Sequence, residues 1–264
     1  MEGENLTPKG RGAMRLTMAE AARYYLSLGD SISIDAYAGG PGRGGASLLY
    51  RNRDDDFPEW RGRDLASQRP GTRLLPLAMD GATSATVRYY QLPRLSEMGV
   101  VPDLVTLTMG GNDLVQCWLN DIAARDANRA LLQHGAAILT ALRRTMGKDA
   151  PILVGTIYDP SDGTGNGSGL DLMQWPTALE WLRSFNESLR SLAKTYDART
   201  ADIHATFLGH GLTVGDPTQS DSHPANRNLW YCGTIEPNAW GASALRALWW
   251  ETLVASGFLA PEVP

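Results

Sequence analysis

Short continuous apolar runs alternate along this chain with longer stretches in which apolar residues recur every three or four positions. The runs cover residues 23–28, 72–79, 103–109, 151–157 and 199–203. Their length and their β-prone content predict strands buried on both faces. Helical spacing fills the intervals. Ala130, Leu131, His134, Ile138 and Leu142 predict a long helix over 121–146, and Leu182, Phe185, Leu189 and Leu192 mark one stripe of a helix over 179–196. A last helix from about Gly241 carries Ala244, Leu245, Leu248, Trp249 and Leu253 inward, while Thr83 or Ser84 caps a helix running toward Leu95. Strands alternating with helices imply the α/β class, a parallel sheet covered on both faces.

The 264 residues fit one domain, with 1–20 as a loose arm and 38–63, rich in glycine and charge, as a long surface loop. Gly40-x-Gly-x-x-Gly45 in that loop matches a dinucleotide fingerprint, but Pro41 interrupts it and no helical pattern follows, so the required strand and helix context is missing. Arg51, Arg53, Arg61 and Arg63 of the same loop read as solvated side chains, or more sharply as contacts to an anionic substrate. A net charge of −5 with no basic block argues against nucleic acid and anionic membrane as partners. No apolar run reaches the ~18–20 residues of a membrane span. The first ten residues are polar and lack the apolar core of a secretory signal; this points to the cytoplasm, with a processed secreted form as the alternative. Cys117 and Cys232 have no paired spacing and read as free thiols, and no ligand pattern calls for a metal.

Chemistry gathers at the ends of three strands, in Gly29-Asp30-Ser31, Asp80-Gly81 and Gly110-Gly111-Asn112-Asp113. In a parallel sheet these ends share one edge, where ligands of open α/β folds bind. Ser31 is the candidate nucleophile. Acyl transfer also needs donors aimed at the oxyanion that forms on the attacked carbonyl, and the backbone N–H of Ser31, that of Gly81 and the amide of Asn112 are candidates.

Together with Glu236-Pro237-Asn238-x-x-Gly241, these blocks resemble, in order and spread, those of the SGNH or GDSL hydrolase family over roughly residues 22–256. The resemblance implies a flavodoxin-like α/β/α sandwich with five parallel strands ordered 2-1-3-4-5. It also implies hydrolysis of a small-molecule ester or other acyl bond without metal or cofactor. The Gly-x-Ser-x-Gly elbow of α/β-hydrolases is absent.

The last block departs from the family pattern. Family members carry Asp-x-x-His-Pro, whose His is the base and whose Asp orients it; here the run is Gly233-Thr-Ile-Glu236-Pro237. Three readings follow. Glu236 is itself the base, against a handicap of about two pKa units relative to imidazole. Alternatively a displaced histidine is the base and Glu236 orients it, with His223 ranked ahead of His204, His210 and a structural His134. In the third, the fold binds a ligand without hydrolysis. The second is the leading expectation: a hydrolase with Ser31, His223 and Glu236 as catalytic residues and Ser31, Gly81 and Asn112 as the oxyanion hole. An acyltransferase is a further alternative, and Trp230 or Trp240 is a candidate wall for an apolar acyl group.

Overall fold

A computed structural model of the chain describes residues 22–259, so the arm expected at 1–20 lies outside the described residues. Five parallel strands, β1 (Arg23–Leu28), β2 (Thr72–Pro76), β3 (Leu104–Leu107), β4 (Ile152–Gly155) and β5 (Arg199–Ala201), form one sheet in the order β2-β1-β3-β4-β5. A two-stranded antiparallel ribbon, β6 (Tyr231–Cys232) with β7 (Glu236–Pro237), lies apart from it. The helices are α1 (Gly45–Tyr50), α2 (Leu65–Gln68), α3 (Ser84–Thr86), α4 (Leu92–Met98), α5 (Gly111–Val115), α6 (Asp121–Met146), α7 (Ala178–Thr195), α8 (Ile203–Phe207) and α9 (Ala239–Ala255).

Alternation along the strands sends residues to opposite faces. Leu26, Leu28, Val105, Leu107, Ile152 and Val154 meet Leu131, Ile138 and Leu142 of α6 and Phe185 and Leu189 of α7. Tyr25, Leu104, Leu153 and Ala201 meet Leu49 of α1 and Leu245, Trp249 and Leu253 of α9. Both faces of the sheet are therefore dry, which gives the expected three-layer α/β/α sandwich. The long helix covers the expected 121–146. The last helix begins two residues earlier than expected, because the Asn238 side chain caps it by accepting from the N–H groups of Trp240 and Gly241. The fifth strand stops at Ala201, since the Asp202 side chain accepts from Ala205 N–H and starts α8.

Residues 38–63 are not the open surface loop that composition suggested. Asp35 accepts from the N–H groups of Gly42 and Gly44, folding the glycine run into a tight entry to α1. Leu48 and Leu49 of α1 are fully buried. Six apolar and small residues between glycine and charge were too short a run to read as a helix. Arg53 and Arg61 pair with Asp56 and Asp54 of the same segment.

The sheet edge is shaped by backbone contacts. After β2, the N–H groups of Leu77 and Ala78 bond to Ser27 O and that of Met79 to Gly29 O, so the chain runs beside β1 and delivers Gly81 near the end of that strand. Gly29 has φ +126°, and a Cβ there would lie 2.1 Å from Thr108 O, far inside contact distance. Only glycine fits. Gly29→Ala should therefore cost about 3 kcal/mol or more in urea unfolding. A loss below about 1 kcal/mol would show that the strand ends can separate freely.

Candidate active site

Ser31 opens a 3₁₀ turn, Ser31–Ser33, directly after β1. The turn is held from two sides. Gln91, fully buried, accepts from Gly29 N–H at 2.8 Å and donates to Gly29 O at 2.7 Å. It reaches there from a π-helical turn, Val87–Gln91, which Pro93 follows; proline has no N–H to give to the Tyr89 carbonyl, so the tighter ladder cannot close. Thr108, just past β3, donates its hydroxyl to Asp30 Oδ1 at 2.7 Å and accepts from Asp30 N–H. Neither Gln91 nor Thr108 stands out in sequence, although two threonines in a strand as buried as 103–109 were a usable signal.

The other strand ends are tied to the same spot. Asn112 donates one amide hydrogen to Ala82 O at 3.1 Å, which leaves the second free. Asp113 accepts from Ser84 N–H at 2.8 Å and from Ser84 Oγ at 2.5 Å. Because that hydroxyl proton goes to Asp113, the 2.9 Å contact from His134 Nδ1 to Ser84 Oγ is an N–H donation. His134 is thus structural, as expected. Burial first, and the Arg88 cation second, hold its imidazole below the usual range. Among the described residues neither Ser31 N–H nor Gly81 N–H meets an acceptor, and Gly81 has φ +67°. Three donors therefore remain available on one edge.

Glu236 is carried to Ser31 by the β6–β7 ribbon, whose second strand lies against the 3₁₀ turn. The residue is only 8% exposed, and its Oε2 is buried without a hydrogen-bond partner. Burial pushes its pKa up to about 7; the Ser31 hydroxyl opposes this as a hydrogen-bond partner, and the carboxylates of Asp80 and Asp30 add to it. Asp30 is likewise pushed up to about 6, mainly by burial, against the hydrogen bond from Thr108. Sequence alone marked Glu236 but not the change in its basicity.

The structure does not bring His223 to this centre. Its exposed ring contacts Ser222 Oγ at 3.1 Å, lies against Gly39 and meets Trp240 edge to face, and it has no contact with Ser31 or Glu236. His210 stacks on Trp230 at 3.3 Å, and His204 sits in α8 with its backbone N–H on Thr156. A cavity of about 130 Å³ opens at Ser31, Asn112 and Asp30 and runs between α5 and α7. Its walls are mostly apolar: Leu114, Val115, Ile157, Leu170, Leu172 and Leu182, with Trp118 and Tyr158 rather than Trp230 or Trp240 as the aromatic members.

Comparison with known proteins agrees with this architecture. The model of the GDSL-like lipase/acylhydrolase family matches residues 27–242. A search of curated proteins by sequence finds no match. Among solved structures, LAE5, an alpha/beta hydrolase enzyme from the metagenome of Lake Arreo, Spain, aligns with TM-score 0.59 and 17% identity over 91% of this chain and 98% of its own. TesA aligns with TM-score 0.55 and 21% identity over 89% and 99%. A variant of Axe2, an acetyl xylan esterase from Geobacillus stearothermophilus, gives 0.57 and 17% over 91% and 97%.

Folding raises the pKa of Glu236, so the stability tied to its proton is present below about pH 4.5 and lost as pH rises through about 7. Its share is about 3 kcal/mol at most, or roughly 6–10 °C in a chain of this size. Glu236→Gln should therefore raise Tm at pH 8 by several degrees and change it little at pH 4.5. An equal shift at both pH values would mean that the carboxylate is not strained by burial.

Proposed function

Because this chain belongs to the GDSL-like lipase/acylhydrolase family, we propose that it hydrolyses an ester or other acyl bond through an acyl-enzyme on Ser31, with Glu236 as the base. The observation that carries this reading is a buried carboxyl, carried by β7 against the Ser31 turn, whose pKa is pushed up to about 7. A free glutamate at ~4.3 lags imidazole by about two units, and burial removes that deficit. Proton transfer is most effective from a group whose pKa lies near the working pH.

The steps follow. Ionised Glu236 takes the Ser31 proton as Oγ attacks the carbonyl carbon. The oxyanion of the tetrahedral intermediate receives hydrogen bonds from Ser31 N–H, Gly81 N–H and the free amide hydrogen of Asn112, each worth roughly 10²–10³ in rate. Glu236 then gives its proton to the departing alkoxide, and the C–O bond breaks. Water enters, loses its proton to Glu236 and attacks the acyl carbon. When the Ser31–acyl bond breaks, Oγ recovers that proton. No orienting residue is required, because a carboxylate, unlike imidazole, has no tautomer to select. In this reading His223 has no part in these steps.

The apolar cavity takes the acyl group. Its volume of about 130 Å³ compares with the ~150 Å³ that encloses a benzene ring, which favours a chain of roughly six carbons over acetate. Each added methylene that is buried contributes about 0.8 kcal/mol, roughly fourfold. On p-nitrophenyl esters, kcat/KM should rise at least tenfold from acetyl to hexanoyl; a preference for acetyl would refute the assignment of the cavity.

A fluorophosphonate probe should label the parent and not Ser31→Ala. In a pH–rate profile the acid limb should fall near pH 7, Glu236→Gln should lose at least 10³ in kcat, and His223→Ala should stay within a few-fold of the parent. If His223→Ala is dead while Glu236→Gln retains activity, the base is the histidine.

A further inference from the structure

Outside the catalytic centre, a rim of exposed apolar side chains lies beside the acyl cavity. Ile122 is 68% exposed, Met173 70%, Leu119 42% and Val115 40%. Val115 also lines the cavity, and Met173 adjoins Leu172, another wall residue. The two contributing segments form one platform. Trp118 Nε1 donates to Met173 O at 2.8 Å and its ring packs edge to face on Trp175. Asp121 Oδ1 accepts from Trp175 Nε1, Trp181 Nε1 and Thr177 Oγ1, pinning the start of α6 to the start of α7.

Two further observations bear on what this rim meets. Leu119 holds φ +65°, a conformation that costs a bulky side chain energy and that persists only where surroundings impose it. Here it keeps an apolar residue in solvent. Residues 114–124 and 170–178 contain no Lys or Arg, only the carboxylates of Asp121 and Asp171, and the next cations along α6, Arg125 and Arg129, both pair with Asp126. A surface that recruits anionic lipid needs clustered cations, so this one suits an uncharged or zwitterionic phase. Exposed aliphatic tips around the half-buried indole of Trp118 are the composition of an interfacial anchor.

We propose that this rim docks the protein on the surface of a zwitterionic lipid assembly, so that a substrate's acyl chain passes from the lipid phase into the cavity without crossing water. The proposal rests on the acyl-hydrolase reading for its purpose, while docking itself needs no turnover.

The test is flotation of Ser31→Ala protein with phosphatidylcholine vesicles, so that hydrolysis plays no part. It should float, added phosphatidylserine should not increase binding, and the double variant Ile122→Ser/Met173→Ser should bind at least tenfold more weakly. Both positions are exposed and outside the cavity wall, so the double variant on the wild-type Ser31 background should keep its Tm and its turnover of a soluble short-chain ester. Failure of Ser31→Ala to float, or equal flotation of the double variant, overturns the proposal. So does light scattering that finds a dimer which the double substitution converts to monomer, because the rim is then a self-association face. Loss of turnover in the parent with flotation intact would instead strike the hydrolase reading alone.

Discussion

Everything at the sheet edge depends on how closely two strand ends approach. Gly29 stands where any Cβ would press on the Thr108 carbonyl, and that contact lets Asp30 and Thr108 exchange hydrogen bonds across β1 and β3. Gln91 then fixes the Gly29 peptide from the α3–α4 side. Ser31 inherits its position from these constraints, which leaves its N–H free and its hydroxyl facing Glu236. The rigidity is that of a scaffold whose polar groups are nearly all satisfied, and rigid placement is what oxyanion donors require, since they must not reorganise during reaction.

Against that largely satisfied background the two buried carboxyls differ in meaning. Asp30 and Glu236 are both buried and both raised in pKa, and Asp30 adds to the rise at Glu236. Asp30 resolves its burial with hydrogen bonds from Thr108, so it serves as structure. Glu236 leaves Oε2 without a partner and faces Ser31, so its burial is unresolved in the resting site. A buried polar atom without a partner costs on the order of 1–3 kcal/mol and is kept only where something offsets it. Proton transfer from Ser31 would use that tension, because it converts the strained anion to the neutral acid that its surroundings favour.

The strands and long helices were legible in sequence because a doubly covered sheet forces continuous apolar runs and an amphipathic helix forces a period near 3.6. Ser31, Gly81 and Asn112 were legible as a set because each follows such a run. What escaped reading depends on distance in space. The helix at Gly45–Tyr50 is stable only because Leu48 and Leu49 are buried, Leu49 against α9, and Gln91 acquires its role only through the π turn that precedes Pro93. His223 looked suitable by its nearness in sequence to Glu236, yet the loop carries it toward Gly39 and Trp240. The basicity of Glu236 could not be read at all, since burial and the neighbouring Asp80 and Asp30 set it.

The turn between β6 and β7 explains how Glu236 is held against the Ser31 turn. Gly233 at φ +55° and Thr234 at φ +79° both lie in the left-handed region and close the ribbon between Cys232 and Glu236. A β-branched residue there is strained, and the strain is borne by backbone bonds: Gly233 N–H to Gln219 O and Thr234 N–H to Pro217 O, each at 2.8 Å. The segment that in the family pattern supplies an orienting aspartate is thus committed to turning the chain. Orientation passes from a side chain to the backbone: β7 is hydrogen-bonded to β6, Tyr158 donates its hydroxyl to Ile235 O, and Asn238 caps α9 immediately behind. Glutamate has one more rotatable bond than histidine, so a base of this kind needs its main chain held on both sides, and residues 235–238 are held in that way.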